Sequence, residues 1–345
     1  MTTTTATKSA SEVSRDLVDM ISRAVSDTPD AASARAELSA RLRDQLGGEA
    51  ATKSASKASV SAPEEPTGLT VPFSTITRPN GHEYSVRKIG EHDDIALLRH
   101  ARRENINILT YGPPGTGKTA VIDVAFAGTA KEDTEAPGRV YTVQGSGDTE
   151  TADFLGGYVQ LPGGVFEWVD GPLVRAMEEG AVLYIDEVAL IDPKVLAIVY
   201  GVMDGRDELL ITANPERGVV KAAEGFYIIA ACNPNAPGAR MSEALTSRFA
   251  LQLKVTTDYK LARKLGVHKT FITAAQNLER KREAGEVGWS PQMRECLAFK
   301  KLAKAFGEDI ALRNVVSTAP EIDRPVVADV LSRAFAKSLA ELQTV

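Results

Sequence analysis

Cysteine is scarce in this chain: two among 345 residues, Cys232 inside an apolar strand-like run and Cys296 in a helix-like one. Two cysteines so placed build neither a disulfide framework nor a zinc site. Histidine is almost as rare. The four, His82, His92, His100 and His268, are scattered, which suits solvated or packing roles better than metal ligation. No uninterrupted apolar run approaches bilayer length, and the opening Met-Thr-Thr-Thr-Thr-Ala-Thr-Lys lacks the apolar core of a signal peptide, so the cytoplasm is the expected compartment and no membrane partner is expected. Excess positive charge is missing too: a net charge of -6 gives no broad basic field for gripping nucleic acid. What is present, 43% hydrophobic and 25% charged residues, is the balance of a globular protein long enough for two or three units.

Residues 1 to 66 differ from the rest, being rich in Ala, Ser and Thr and poor in aromatics. Val13, Leu17, Val18, Ile21 and Val25 share one helical face, and Leu38, Leu42 and Leu46 mark a second helix stopped by Gly47-Gly48. A small helical hairpin followed by a flexible tether is one reading; a tail without fixed structure is the other. From Leu69 the composition becomes globular. Phe73 to Thr77 and Tyr84 to Ile89 flank the turn signal Pro79-Asn80-Gly81-His82. Apolar strand-length runs then recur at 105–111, 139–143, 181–185, 226–232 and 251–255, alternating with helix-like segments. That alternation predicts an α/β fold: a five-stranded, mostly parallel sheet covered on both faces, with ligands at the carboxyl ends of its strands. Beyond Thr257 the strand signals stop, so 67–257 is expected to be the α/β core and 258–345 an all-α lid.

Within this frame, Gly112-Pro113-Pro114-Gly115-Thr116-Gly117-Lys118-Thr119 matches G-x-x-x-x-G-K-[ST], between a strand and a helix. Glycines let the backbone curl until successive N–H groups point at phosphate oxygens, and the following helix adds the positive end of its dipole. Lys118 is expected to reach the β- and γ-phosphates of ATP, and the Thr119 hydroxyl to ligate Mg²⁺. The buried run Ala181 to Ile185 ends in Asp186-Glu187. Carboxylates at such a place face a cation or a reacting group, because burying them unpaired is costly. Asp186 is assigned to Mg²⁺, through a water, and Glu187 to polarising the attacking water. A second apolar run ends in Asn233-Pro234-Asn235, where Asn233 could orient that water or simply start a turn.

These segments, together with Leu245-Thr246-Ser247-Arg248-Phe249 and Ser290-Pro291-Gln292-Met293-Arg294, resemble those of AAA+ ATPases over about residues 70 to 300. Within them the chain is similar to the MoxR branch, which includes the CbbQ/NirQ activators and the McrB motor. The resemblance implies an ATP-hydrolysing homo-oligomeric ring, hexameric, that remodels or activates a protein client, with a von Willebrand factor A-type protein as one candidate. It gives Asn233 the role called sensor 1, Arg248 that of an arginine finger reaching the neighbouring subunit's nucleotide, and Arg294 that of sensor 2. Arg240, near Arg248, is the alternative finger.

Two further segments read as hairpins, 156–171 around Pro162-Gly163-Gly164 and 208–222 around Asn214-Pro215-Glu216-Arg217. By the same resemblance they are the helix-2 insert and the pre-sensor-1 hairpin. Phe166 and Trp168 share one side of their strand and either grip a partner or pack on their own subunit. Arg217 and Lys221, if they face a pore, keep a nucleic-acid-stimulated motor as an alternative function. An ATP-gated scaffold with little turnover is the other. Arg280-Lys281-Arg282 and Lys300-Lys301 sit among acids at helical spacing and read as a solvated face.

Overall fold

The computed structural model describes residues 68–78, 80–127 and 138–343. The helical hairpin and tether expected for residues 1 to 66 lie outside the described residues. The chain divides into the units Met1–Glu65 and Pro66–Val345, and the architecture below is that of the second.

Among the described residues thirteen strands are numbered in chain order. β1 (Thr75–Thr77) and β2 (Glu83–Ser85) form an antiparallel hairpin, and β3 (Lys88–Ile89) and β4 (His92–Asp93) a shorter one. β5 (Ile108–Tyr111), β6 (Val140–Gln144), β9 (Val182–Asp186), β12 (Tyr227–Cys232) and β13 (Leu251–Lys254) make the main sheet. β7 (Gly156–Gln160) pairs with β8 (Phe166–Asp170), and β10 (Glu208–Leu210) with β11 (Val219–Lys221). The main sheet is parallel throughout, in the order β13-β5-β12-β9-β6.

Strand alternation divides the core. Tyr227, Ile229 and Ala231 of β12 face the helices Asp94–Arg103 and Lys118–Phe126, where Ile95, Leu98, Ile122 and Phe126 are buried. Ile228, Ala230 and Cys232 face the other way, onto Phe154, Leu173, Met177 and Val199. All six residues of β12 are buried, which is why its sequence reads as one continuous apolar run. Burial also pushes the Cys232 thiol up to about 11, as an inert core residue. The fold is thus three layers, helix on sheet on helix.

After β13 the chain is helical: Tyr259–Lys264, Lys269–Glu283, Met293–Phe306, Glu308–Thr318 and Arg324–Phe335. These helices enclose a core of their own, with Leu278, Leu312 and Leu331 around Phe271 and Phe299, whose rings stack 4.0 Å apart.

Two local expectations are revised and one holds. The strand expected from residue 105 begins at Ile108, because Asn105 has φ 52° and closes the preceding helix. The run from Tyr84 to Ile89 is broken rather than continuous: Arg87 turns away from the hairpin to meet Asp94. Asn80-Gly81 does form the β1–β2 turn, with Gly81 at φ 80°.

Candidate nucleotide site

The loop between β5 and the helix Lys118–Phe126 is shaped by two constraints on glycine. A Cβ on Gly112 would stand 2.3 Å from the Val255 carbonyl oxygen, and Gly117 caps the helix at φ 93°. Inside the loop, Lys118 is almost fully buried and donates from Nζ to the carbonyls of Gly112 (2.9 Å) and Pro113 (3.0 Å). Burial pulls its ammonium below the ordinary lysine value, opposed by the Glu187 and Asp186 carboxylates. A cation held in a desolvated glycine cradle is short of negative charge, the condition a polyphosphate relieves.

Asp186 ends β9, one strand beyond β12 from the loop. Its Oδ1 accepts the backbone N–H of Glu187 at 3.0 Å. Glu187 takes left-handed angles, φ 48° and ψ 41°, which cost a non-glycine residue about 1 kcal/mol or more. Tyr184, on the same side of β9 as Asp186, lies 3.2 Å from Thr119 Oγ1 through its hydroxyl. Burial and the Asp186 carboxylate push the Tyr184 phenol far up, so it stays protonated as a donor. Sequence reading passed over Tyr184, although period two along β9 places it with Asp186.

A cavity of about 730 Å³ joins these parts: Pro114 to Thr119, Asp186 and Glu187 on one side, Arg294 on another. Its remaining walls are the β2 region, with Tyr84 and Arg87, and the apolar lid residues Leu261, Leu265, Met293 and Leu297. The lid touches the loop directly, since the Arg294 N–H donates to Gly115 O at 3.2 Å. That contact is held from behind by a buried polar chain. Thr257 Oγ1 donates to Gln292 Oε1 at 2.7 Å, Gln292 Nε2 donates to Glu279 at 3.0 Å, and Ser290 Oγ also donates to Glu279.

Four expected site residues do not line the cavity: Gly112 and Pro113 at the start of the loop, Asn233 and Arg248. Asn233 does not line it; its side-chain oxygen accepts from Asn235 N–H at 3.2 Å in a local turn, while its own backbone N–H donates to Glu187 Oε2 at 3.0 Å. Arg248 donates to Asp204 Oδ2 at 3.0 Å and to Ala244 O at 2.8 Å, with its guanidinium 4.4 Å over the Tyr200 ring. Arg240 is exposed.

Of the basic side chains considered for nucleic acid, Lys221, Arg280 and Lys301 are exposed, and the others are engaged elsewhere. Arg217 forms a bidentate pair with Asp170 (3.0 and 3.1 Å) and also reaches Glu178, so it joins the base of the β7–β8 hairpin rather than offering a free charge. Arg282 pairs with Glu279, Lys281 with Glu286, and Lys300 donates to Leu265 O. Trp168 packs on the core with its Nε1–H on Asp170 at 2.7 Å, whereas Phe166 is 62% exposed.

A parallel sheet in this order, with a glycine-rich lysine loop after β5 and an acid pair ending β9, defines a P-loop nucleotide-binding protein of the AAA+ class. Residues 107–249 match the family model described as AAA domain (dynein-related subfamily). An uncharacterized protein of Staphylococcus epidermidis is 39% identical over 188 residues, covering 50% of this chain and 65% of that protein. Protein NorQ of Paracoccus denitrificans is 33% identical over 158 residues, covering 46% of this chain and 55% of NorQ. The chain thus spans less than two thirds of either relative. A putative ATPase from Cytophaga hutchinsonii overlaps at TM-score 0.38 and 19% identity, over 67% of this chain and 78% of that one, and the assignment does not rest on it. Residues 107–249 are thus similar to AAA domains, and the chain is similar in part to NorQ. Among the described residues no helix is long and apolar enough to cross a membrane.

Proposed function

We propose that this protein binds ATP with Mg²⁺, hydrolyses it at the subunit interfaces of a homo-oligomeric ring, and uses the cycle to remodel or activate a protein client in the cytoplasm. One observation carries the reading. A single cavity gathers the phosphate loop, both acids and Arg294, while Arg248 is held outside it by Asp204 and Tyr200. A site so equipped, with its finger candidate pointing elsewhere, suits completion by a neighbouring copy, which contributes about 10³–10⁵ in rate in related phosphoryl transfers.

In this reading Gly115, Thr116 and Gly117 offer backbone N–H groups to the phosphates, Gly112, Pro113 and Pro114 give the loop its curl, Gly112 with its N–H tied to Cys232 O at 3.2 Å and the prolines with no N–H to donate, and Lys118 exchanges its two carbonyl partners for phosphate oxygens. Thr119 and Asp186 offer hydroxyl and carboxylate oxygens, the hard donors Mg²⁺ takes, and the ion when bound neutralises phosphate charge. Glu187 accepts the proton of the attacking water, Asn233 sets the position of Glu187, and Arg294 reports the γ-phosphate to the lid. Core (67–257) and lid (258–345) shift relative to each other as that contact is made and lost. A six-membered ring and a von Willebrand factor A-type client belong to the same proposal. With Arg217, Lys281, Arg282 and Lys300 committed to ion pairs and carbonyls, and a net charge of -6, a protein client is better supported than nucleic acid.

The test mixes Arg248→Ala with Lys118→Ala protein. Each is inactive alone, and mixed rings should regain part of the ATPase activity. Failure of every mixing ratio, with both variants folded and assembled, would overturn a site shared between subunits.

A further inference from the structure

A largely buried side-chain cluster on the β2 wall of the cavity has been given no role in the reading above. Arg87, whose side chain is only 15% exposed, donates from Nη1 to Thr116 O at 3.0 Å and from Nη2 to Gly117 O at 3.4 Å. Its other edge is anchored: Nε lies 3.1 Å from the Tyr84 hydroxyl and 3.4 Å from Asp94 Oδ2, and Tyr84 itself donates to Asp94. The anchor is doubled through the backbone, because Arg87 N–H donates to Asp94 Oδ1 at 3.2 Å and Asp94 N–H donates to Arg87 O at 2.9 Å. Asp94 is 3% exposed and Tyr84 7%. Burial raises the Asp94 carboxyl above its ordinary value, with Tyr84 and Arg87 opposing. A buried ion pair of this kind adds little net stability by itself. What distinguishes it is where the free edge of the guanidinium goes.

Both accepting carbonyls belong to the phosphate loop, and the peptide group is planar and trans, so its C=O and N–H point in opposite directions. Holding Thr116 O and Gly117 O against Arg87 therefore turns the N–H groups of Gly117 and Lys118 away from it. These N–H groups stand at the start of the helix Lys118–Phe126, where no intrahelical acceptor exists. Gly117 O also accepts the first helical bond, from Val121 N–H at 3.2 Å, so the helix shares in setting the Lys118 N–H, whereas the Thr116–Gly117 peptide, beside a residue at φ 93° with no Cβ to resist its rotation, is held by Arg87. We propose that Arg87, braced by Tyr84 and Asp94, is a positioning residue that presets two N–H donors of the loop for a nucleotide's phosphates. This rests on the nucleotide reading above.

The test compares wild type, Arg87→Ala, Arg87→Lys and Tyr84→Phe by titration with a fluorescent ADP and by steady-state ATPase kinetics, with thermal melts as a control for folding. Arg87→Ala should weaken ADP binding and raise KM by about 10- to 100-fold, the loss of two charge-assisted hydrogen bonds, with kcat changed less than about threefold. Arg87→Lys keeps the charge but cannot span both carbonyls, so it should recover only part of the affinity. Tyr84→Phe keeps the ring and loosens the brace, so it should weaken ADP by a few fold, and it reports even if Arg87→Ala does not fold. A folded Arg87→Ala, or failing that Tyr84→Phe, that binds ADP like wild type, or loses kcat at unchanged KM, overturns the proposal. Wild type that does not bind ADP overturns the nucleotide reading itself, a different result.

Discussion

The backbone N–H of Asn233, at the end of β12, donates to the Glu187 carboxylate, at the end of β9, at 3.0 Å. Two strand ends adjacent in the sheet are thereby joined through the one acid assigned to proton transfer. Glu187 sits in a left-handed conformation with its own N–H on Asp186, so its backbone is held at one end and its carboxylate, by Asn233, at the other.

Replacing Glu187 by Gln keeps an oxygen for the Asn233 N–H and removes the base. ADP and ATP affinity should stay within about threefold of wild type while turnover falls about 10²-fold or more, the usual weight of a general base. Equilibrium titration alongside a phosphate-release assay checks both halves. Turnover equal to wild type would mean that Glu187 is not the base.

Gly115 stands at φ 78°, and a Cβ there would meet the Arg294 Cβ at 2.8 Å. Gly115→Ala should therefore push the lid helix Met293–Phe306 off the loop. Strain of about 1–2 kcal/mol implies roughly tenfold weaker nucleotide binding, read by titration, with the helical content unchanged by circular dichroism.

Arg217 is the only side chain seen to join the β10–β11 connection to both Asp170, at the base of the β7–β8 hairpin, and Glu178, among the described residues. Arg217→Ala strands the Asp170 carboxylate, and unfolding in urea should show a loss of about 1–3 kcal/mol. Limited proteolysis should then cut within 156–170 sooner than in wild type. Unchanged cutting would mean that the hairpin is held by Trp168 packing alone.

Glu279 carries the polar chain behind Arg294. Burial works against its charge, but Arg282, Ser290 and Gln292 outweigh it and hold the carboxyl down at about 2, from an ordinary 4.5. With the folded value depressed, the stabilisation is complete above the ordinary value and is lost as pH falls from roughly 5 towards 2. Glu279→Gln should lower Tm by a few degrees near neutral pH, and the gap between variant and wild type should close with acidification. A gap independent of pH would point to lost packing instead of lost charge.

The segments that carry chemistry were legible in the sequence where their partners are close along the chain. The loop 112–119 must be contiguous to curl round phosphate, and the acid pair must follow an apolar strand, so both announce themselves. The two hairpins were visible from their glycine and Asn-Pro turns. Strand edges were less so: Asn105 looks like the start of a strand until its positive φ ends the helix before it. Trp168 and Phe166 have the same period-two signature, yet one is packed and the other exposed, a difference that depends on what lies beneath each.

Sequence alone determined the order of the elements and the phosphate loop, because local spacing and burial pattern suffice for both. Tertiary structure decided the side-chain couplings: Arg87 on the carbonyls of residues 116 and 117, Arg217 on Asp170, Arg248 on Asp204. Each joins residues 29 to 47 positions apart in the chain. An arginine's reach leaves many acceptors open in sequence, and only the packed backbone selects among them.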